Sequence, residues 1–344
     1  VESALLHQPL PQFLLEQLQD SPLRGGRQDF WLSSRIHPLK AWPGKVFLKR
    51  EDELSASISG SKWRKINGLA SVWTRQGADT LLAWGGSRSQ HLLGLAQIGR
   101  ELALDLRLLV KQGSPRQVHG PDLLWPLLID PKFVKTLSRL EWLEVEQHVR
   151  SWQGSLLAEG RQLFLVREGG AQIEALLGAM TLAVDIVRQE QELGLQFSHI
   201  AVDAGTGLTA QALILGLGCL GRYPICEVIL CAGSAEEFTH DLSKRQSELG
   251  RLLLDETIKP APYRCHIPAT AKSFGSTNRA VFQEIARTAQ ESGVLLDPIY
   301  SAKLFMKARD ILPTLPASAA LLLIHSGGVQ SLFGFPTQLQ GLLP

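Results

Sequence analysis

Cysteine is scarce: among 344 residues there are four, Cys219, Cys226, Cys231 and Cys265, and no two stand in a CxxC spacing. They fall mostly in apolar runs, which excludes a disulfide scaffold and fits buried free thiols in a reducing compartment, so a cytoplasmic protein is expected. No metal site is expected. Long apolar runs are also missing: no stretch reaches the roughly 18 consecutive apolar residues of a membrane span. Residues 1–11 carry Glu2 and His7 where a secretory leader needs an apolar run, so no membrane partner is expected. The sequence begins with Val1 and not Met, which leaves the native N-terminus open. Charge of one sign is lacking too, with a formal net charge of +2. Lys132, Lys135 and Arg139 are too sparse for a basic patch, so nothing argues for a nucleic-acid partner. There is no evident internal repeat and no low-complexity tract.

What is present is ordinary globular chemistry, 44% hydrophobic and 20% charged, enough for a sizeable core. A chain of this length predicts two domains, or one large domain with an inserted lobe. Short runs rich in Val, Ile and Leu recur at residues 46–49, 80–84, 106–110, 163–166, 199–202, 227–231, 293–296 and 320–325, with helix-like segments between them. Strands alternating with helices imply an α/β architecture, open twisted sheets covered by helices on both faces. Residues 65–166 read as a small inserted domain and residues 1–64 with 167–344 as the large one, with a ligand cleft between them. Residues 92–102 read as a helix, and the region around residues 115–131 as looser chain.

Five stretches carry candidate chemistry. In the first, Val46-Phe47-Leu48-Lys49-Arg50-Glu51-Asp52 runs into Ser59-Gly60-Ser61-Lys62-Trp63-Arg64-Lys65. Lys62 stands where a helix should begin, and helix dipoles and neighbouring cations there depress an amine's pKa and make it a nucleophile, the setting of a Schiff-base lysine. From this stretch alone a solvated basic helix start reads equally well. In the second, Leu82 to Gly86 runs into Ser87-Arg88-Ser89-Gln90-His91 ahead of an apolar helix, where Ser87 or Ser89 either reaches into a cleft or caps the helix. In the third, Ile200 to Ala204 leads to Gly205-Thr206-Gly207-Leu208-Thr209, where glycines admit a ligand and amides offer positive dipole ends to a phosphate. Gly205, Gly207 and Ala210 also match G-x-G-x-x-A, so a dinucleotide enzyme is a rival reading, though the motif comes late in the chain and Glu227 opens its strand. The fourth is Leu295-Leu296-Asp297-Pro298-Ile299-Tyr300-Ser301 and the fifth Leu323-Ile324-His325-Ser326-Gly327-Gly328, each of which also reads as a plain turn.

Together the five resemble the pyridoxal-phosphate enzymes of the tryptophan synthase β group, fold type II. Within it they look most like the family of 1-aminocyclopropane-1-carboxylate deaminase and D-cysteine desulfhydrase. The family's Lys-Arg-Glu-Asp and Lys-x-Arg-Lys are matched by Lys49 to Asp52 and Lys62 to Lys65, and its Gly-Gly-x-x-Ser-Asn-His by Gly85 to His91. Its phosphate turn is matched by Gly205 to Thr209, its Leu-Asp-Pro-Val-Tyr-Thr-Gly-Lys by Leu296 to Lys303, and its His-Thr-Gly-Gly by His325 to Gly328; a partial Pro-x-Gly-Gly remains at Arg167 to Gly170. The resemblance implies that Lys62 carries pyridoxal 5'-phosphate and acts as acid/base at the substrate carbon, and that Gly205, Thr206, Gly207, Leu208 and Thr209 hold the phosphate. It implies Ser89 near the substrate carboxylate, Gln90 beside the ring, Tyr300 across from it as an acid/base, and Ser301 or Ser326 at the pyridine nitrogen.

Departures from the family pattern shape the expected function. Gln90 replaces an Asn and is one methylene longer. Ser301 stands where the deaminases have Glu, and a hydroxyl there leaves the ring nitrogen neutral, which suits β-elimination better than ring opening. Phe274 falls on the family's second active-site tyrosine and removes a hydroxyl, while Ala302 replaces Gly and Arg167 replaces Pro. A lyase or deaminase acting on a small amino acid is therefore expected, most like a D-cysteine desulfhydrase releasing pyruvate, ammonia and sulfide, and working as a homodimer. The alternatives are 1-aminocyclopropane-1-carboxylate deamination and a catalytically weakened paralogue that serves as a binding protein.

Overall fold

The computed structural model describes residues 9–24, 33–55, 58, 60–113 and 124–342. Among these, ten strands form two sheets: β1 (Ile36–Pro38), β2 (Lys45–Lys49), β3 (Thr80–Gly86), β4 (Asp105–Lys111), β5 (Val134–Leu137), β6 (Leu163–Val166), β7 (His199–Ala204), β8 (Ile225–Leu230), β9 (Tyr263–His266) and β10 (Ala320–Ile324). The helices are α1 (Leu10–Leu18), α2 (Lys62–Arg75), α3 (Gln90–Glu101), α4 (Val145–Ala158), α5 (Ile173–Leu193), α6 (Leu208–Cys219), α7 (Ala235–Leu253), α8 (Arg279–Ser292), α9 (Ser301–Ile311) and α10 (Pro336–Gln340). One sheet has six strands in the order β1-β2-β10-β7-β8-β9, the other four in the order β5-β4-β3-β6. Every pairing is parallel except β1 with β2. Parallel strands covered on both faces read as continuous apolar runs, and β7 and β10 are buried along their whole length.

The central strands fall where the apolar runs predict them, and the differences lie at the margins. Residues 293–296 form no strand: Val294 and Leu296 are buried, but the Leu295 carbonyl accepts from His325 Nε2 at 2.8 Å in place of a ladder partner. Three short strands that the pattern does not single out, β1, β5 and β9, are all sheet edges. An edge strand buries less and is often polar, as Lys135, Arg264 and His266 are, so it lacks the apolar signature. Part of the looser region, residues 115–123, lies outside the described residues.

The element that positions the site is the crossing of α2 over α5. Their backbones meet at two glycines: a Cβ on Gly68 would lie 2.1 Å from the Glu174 carbonyl oxygen, and one on Gly178 2.2 Å from that of Arg64. Only glycine permits so close an approach. Beside the crossing, Arg64 is fully buried and donates from Nε to Glu51 Oε2 at 2.6 Å, from Nη2 to Glu51 Oε1 at 2.8 Å and from Nη1 to Thr181 Oγ1 at 2.9 Å. Asp185 of α5 joins the cluster through Arg64 Nη2 at 3.2 Å and through the Lys49 ammonium, while Ser34 Oγ donates to Glu51 Oε1 at 2.7 Å. Burial works against ionisation of Asp185, but Lys49 and Arg64 outweigh it and hold the carboxyl at about 2. The solvated basic helix start is thereby overturned: Arg64 is internal, and Lys65 is buried as well.

Removing one member of a buried, hydrogen-bonded ion pair leaves the other uncompensated, at a cost of about 3–5 kcal/mol. Glu51→Ala is expected to lose that much in chemical denaturation. The double change Glu51→Leu with Arg64→Met should lose much less, because no unpaired charge remains there. A loss under about 1 kcal/mol in the single variant would show that this pair does not hold α2 in place.

Candidate active site

The C-terminal ends of strands from both sheets converge on a cavity of about 230 Å³. Its wall brings together Lys62, Ser89, Gln90, the turn from Gly205 to Thr209, Tyr300 and Ser326. Parallel sheets place ligands at this end because the strand-to-helix turns open there.

Lys62 is the first residue of α2, preceded by Ser61 at the cap position. The turn before it is set by Gly60, with φ +49°, where a Cβ would lie 1.9 Å from the Ser326 carbonyl oxygen, and Ser61 N donates to that oxygen at 3.1 Å. The lysine is thus tied to the loop that follows β10; Ser59 lies outside the described residues. Burial lowers the Lys62 pKa, with Asp203 and Asp297 acting in the opposite direction, so the free amine is favoured. Its Nζ stands 5.9 Å from the centre of the Tyr300 ring.

The glycine turn joins β7 to α6, a helix buried over nearly its whole length. Gly207 caps α6 with φ +80°, and the first intrahelical bond runs from Gln211 N to Gly207 O at 2.9 Å, which leaves the preceding amides directed at the turn. A Cβ on Gly205 would lie 2.9 Å from Tyr300 Cε1, so a side chain there would push the tyrosine aside. Phosphate-binding turns have this construction: uncommitted amides, a helix dipole and no side chain in the way. Glu227, the acid a dinucleotide site would need at the end of β8, lies in its first half and pairs with His266 Nε2 at 2.6 Å.

Tyr300 is placed by Asp297. One carboxylate oxygen accepts from the amides of Ile299 and Tyr300, each at 2.8 Å; the other accepts from Ser301 N at 2.8 Å and Ser301 Oγ at 2.6 Å. Ser301 is fully buried in that turn and does not line the cavity, whereas Ser326 does. Burial raises the Tyr300 phenol well above its usual range, so it keeps its proton. Ser89 is both things the sequence suggests: it caps α3, accepting from Leu92 N at 3.3 Å, and it faces the cavity. Gln90 is buried with neither its amide oxygen nor its nitrogen partnered. Phe274, 64% exposed, lies at the rim with its ring centre 6.2 Å from that of Tyr300.

Sequence reasoning assigned no role to Lys65, His91, Glu168 or Asp203, all of which line the cavity. Lys65 follows Lys62 by three positions on a helix, which puts both on one face, and burial lowers it to about 7. Burial also holds His91 neutral, at about 3, with Lys65 and Lys62 adding to the shift. Asp203 was legible as an acid at the inner end of an apolar strand. Burial raises it to about 6, the nearby Ser326 hydroxyl acting against the shift.

This set fits pyridoxal phosphate on the chemistry of the side chains alone. It holds a half-buried amine with a lowered pKa for a carbonyl carbon, a glycine-lined helix start for a phosphate, and buried polar atoms without protein partners, on Gln90 and Asp203, for the polar ring. The fold itself is that of known enzymes of this build. The structure matches that of an ACC deaminase homologue with a TM-score of 0.79 and 23% identity, over 98% of this chain and 100% of the other. It matches the threonine deaminase of T.th. with a TM-score of 0.60 and 14% identity, over 92% and 97%. The expected two-sheet α/β architecture, fold type II, is therefore the fold of this chain. In sequence the chain is 28% identical over 303 residues to the D-cysteine desulfhydrase of Serratia proteamaculans (strain 568), covering 86% of this chain and 89% of that protein. It is 27% identical over 301 residues to a Pyrococcus horikoshii protein named for a proposed 1-aminocyclopropane-1-carboxylate deaminase activity, covering 87% and 89%. No protein-family model matches.

The double duty of Ser89 can be separated. Ser89→Ala removes the cap and is expected to lower stability by about 1 kcal/mol, while Ser89→Asp keeps a capping oxygen and should lose little. Equal losses in thermal unfolding would show that the cap is not what the hydroxyl contributes.

Proposed function

We propose that this protein is a pyridoxal-phosphate-dependent lyase acting on a small amino acid by β-elimination, with D-cysteine the leading substrate and pyruvate, ammonia and sulfide the products. The observation that supports it most is the meeting, in one cavity, of a half-buried lysine with a lowered pKa, a glycine turn at a buried helix start and a tyrosine that keeps its proton. The similarity to D-cysteine desulfhydrases over most of the chain supports the choice of substrate.

When bound, pyridoxal phosphate supplies an electron-withdrawing ring that accepts the electron pair left as the substrate's α-carbon loses its proton. In this reading the amides of Gly205, Thr206, Gly207, Leu208 and Thr209 take the phosphate, with the Lys65 ammonium beside them. Lys62, whose free amine is favoured by burial, takes the α-proton. Tyr300 donates its proton to the departing sulfur. Ser89 and the first amides of α3 hold the substrate carboxylate, and Gln90 bonds to the edge of the ring. Ser326 lines the same cavity. Ser301 acts indirectly, through its bonds to Asp297 in the turn that presents Tyr300. Residues 1–64 and 167–344 form the cofactor-binding domain, residues 65–166 the small one, and the working unit is a cytoplasmic homodimer, which sedimentation equilibrium tests.

Protein supplied with pyridoxal phosphate is expected to absorb in the near-visible, and Lys62→Ala to lose that band; a wild-type protein without it sinks the cofactor assignment. Keto-acid release is then expected from D-cysteine. Release from 1-aminocyclopropane-1-carboxylate instead would favour the deaminase reading, which the Pyrococcus relative supports. If no D- or L-amino acid with a β-leaving group yields a keto acid while the band is present, the protein is a binding paralogue. Phe274→Tyr adds a hydroxyl at the cavity rim and is expected to raise kcat severalfold; an unchanged kcat removes this position from the chemistry.

A further inference from the structure

We propose that the Asp203 carboxylate, with the Ser326 hydroxyl beside it, is the group that faces the pyridine nitrogen of the bound cofactor and keeps that nitrogen protonated. The inference rests on the pyridoxal-phosphate reading and assigns a residue to which that reading gives no part.

Asp203 is the fifth residue of β7, a central strand of the large sheet, and Ser326 follows the end of the neighbouring strand β10. Both side chains are buried and both line the cavity. Oδ1 of Asp203 is buried without any hydrogen-bond partner, although Lys62, Lys65 and His325 all lie near enough to act on its charge. Among the described residues it forms no ion pair with either lysine. A buried carboxylate oxygen in that condition costs free energy unless something fills the bond. Of the two hydroxyls that the resemblance put at the ring nitrogen, that of Ser301 donates to Asp297 at 2.6 Å and stays out of the cavity, while that of Ser326 lines it near Asp203.

The cofactor's own chemistry supplies the missing donor. Lys62 would hold its carbonyl carbon and the glycine turn its phosphate. The ring nitrogen is para to that carbon, on the side of the ring away from the lysine linkage, and when protonated it is an N–H donor. Burial, with the like charge of the neighbouring Asp297, raises Asp203, whereas the Ser326 hydroxyl, Lys62 and His325 lower it. The balance, at about 6, leaves Asp203 largely ionised at pH 7 and able to accept that bond. A carboxylate paired with a pyridinium favours the charged ring, because each charge lowers the cost of the other in a site of low dielectric.

The test is the nitrogen-15 resonance of wild-type protein, Asp203→Asn and Ser301→Ala, each loaded with pyridoxal 5'-phosphate labelled at the ring nitrogen, with the near-visible band recorded alongside. The wild type is expected to show the resonance of a protonated ring at pH 7. Asp203→Asn should retain the band, move the resonance toward that of the neutral ring and bind the cofactor severalfold more weakly, while Ser301→Ala leaves the resonance in place. A neutral-ring resonance in the wild type overturns the proposal whether or not the variants fold. So does a protonated resonance that persists in Asp203→Asn, or one that moves in Ser301→Ala alone. Absence of the near-visible band in the wild type would instead overturn the pyridoxal-phosphate reading beneath it.

Discussion

The structure depends on one crossing. Helices α2 and α5 touch backbone to backbone at Gly68 and Gly178, and the buried Arg64 guanidinium binds Glu51, Thr181 and Asp185 alongside. That contact decides where α2 begins, and Lys62 is its first residue. A charge cluster with no access to water is an expensive way to pack two helices, since desolvation can exceed the Coulombic gain. What it offers over an apolar contact is direction: a guanidinium held by two carboxylates has one orientation, whereas leucines have several. The cluster therefore fixes the rotation of α2, and with it the face that presents both Lys62 and Lys65 to the cavity.

The two halves of the site are tied together by backbone contacts of the same kind. Gly60 lies against the Ser326 carbonyl, so the lysine turn and the loop after β10 cannot move separately. Gly169, with φ +64°, lies against Thr206, where a Cβ would stand 2.7 Å from its methyl group, so the chain leaving β6 is seated on the glycine turn. Tyr300 is locked by Asp297 and lies over Gly205. Glycine at these positions is a packing requirement first, and it lets loops from both sheets close around so small a space.

The central strands, the start of α2 at Lys62 and the five converging turns were legible because parallel strands bury both faces and leave unbroken apolar runs ending in glycine. The edge strands β1, β5 and β9 were not, because a strand paired on one side has no such run. The flanking charges misled for a related reason. Lys49, Glu51 and Arg64 look like solvated neighbours of a reactive lysine, and only the tertiary structure shows that, with Asp185 of α5, they form a buried cluster of ion pairs. Ser301 illustrates the limit of one-dimensional matching: its position follows the tyrosine as the resemblance requires, yet its hydroxyl is taken by Asp297, four residues earlier. Asp203, from a different strand, carries no motif of its own, and what marks it in the structure is a buried carboxylate oxygen in the cavity without a hydrogen-bond partner.

That difference bears on the choice between reactions. A neutral ring was expected because a serine replaces the deaminase glutamate, and neutrality was the reason to favour elimination over ring opening. With Ser301 turned to Asp297 and Asp203 facing the cavity, the electron sink no longer depends on the residue after the tyrosine. A protonated ring serves either reaction, since both begin by moving electrons from the α-carbon region into the ring. Ring chemistry then ceases to discriminate, and selection passes to the groups that meet the rest of the substrate. The role proposed for Ser89 concerns a carboxylate that both substrates carry, so in that reading the distinction falls to Tyr300 and Phe274, whose rings line the cavity 6.2 Å apart. A departing thiolate needs the one proton that Tyr300 retains. In the proposed reaction Phe274, with no hydroxyl, leaves that tyrosine as the proton donor on this side: an elimination with a single leaving group requires no other, and a second hydroxyl there adds to the rate without changing the reaction.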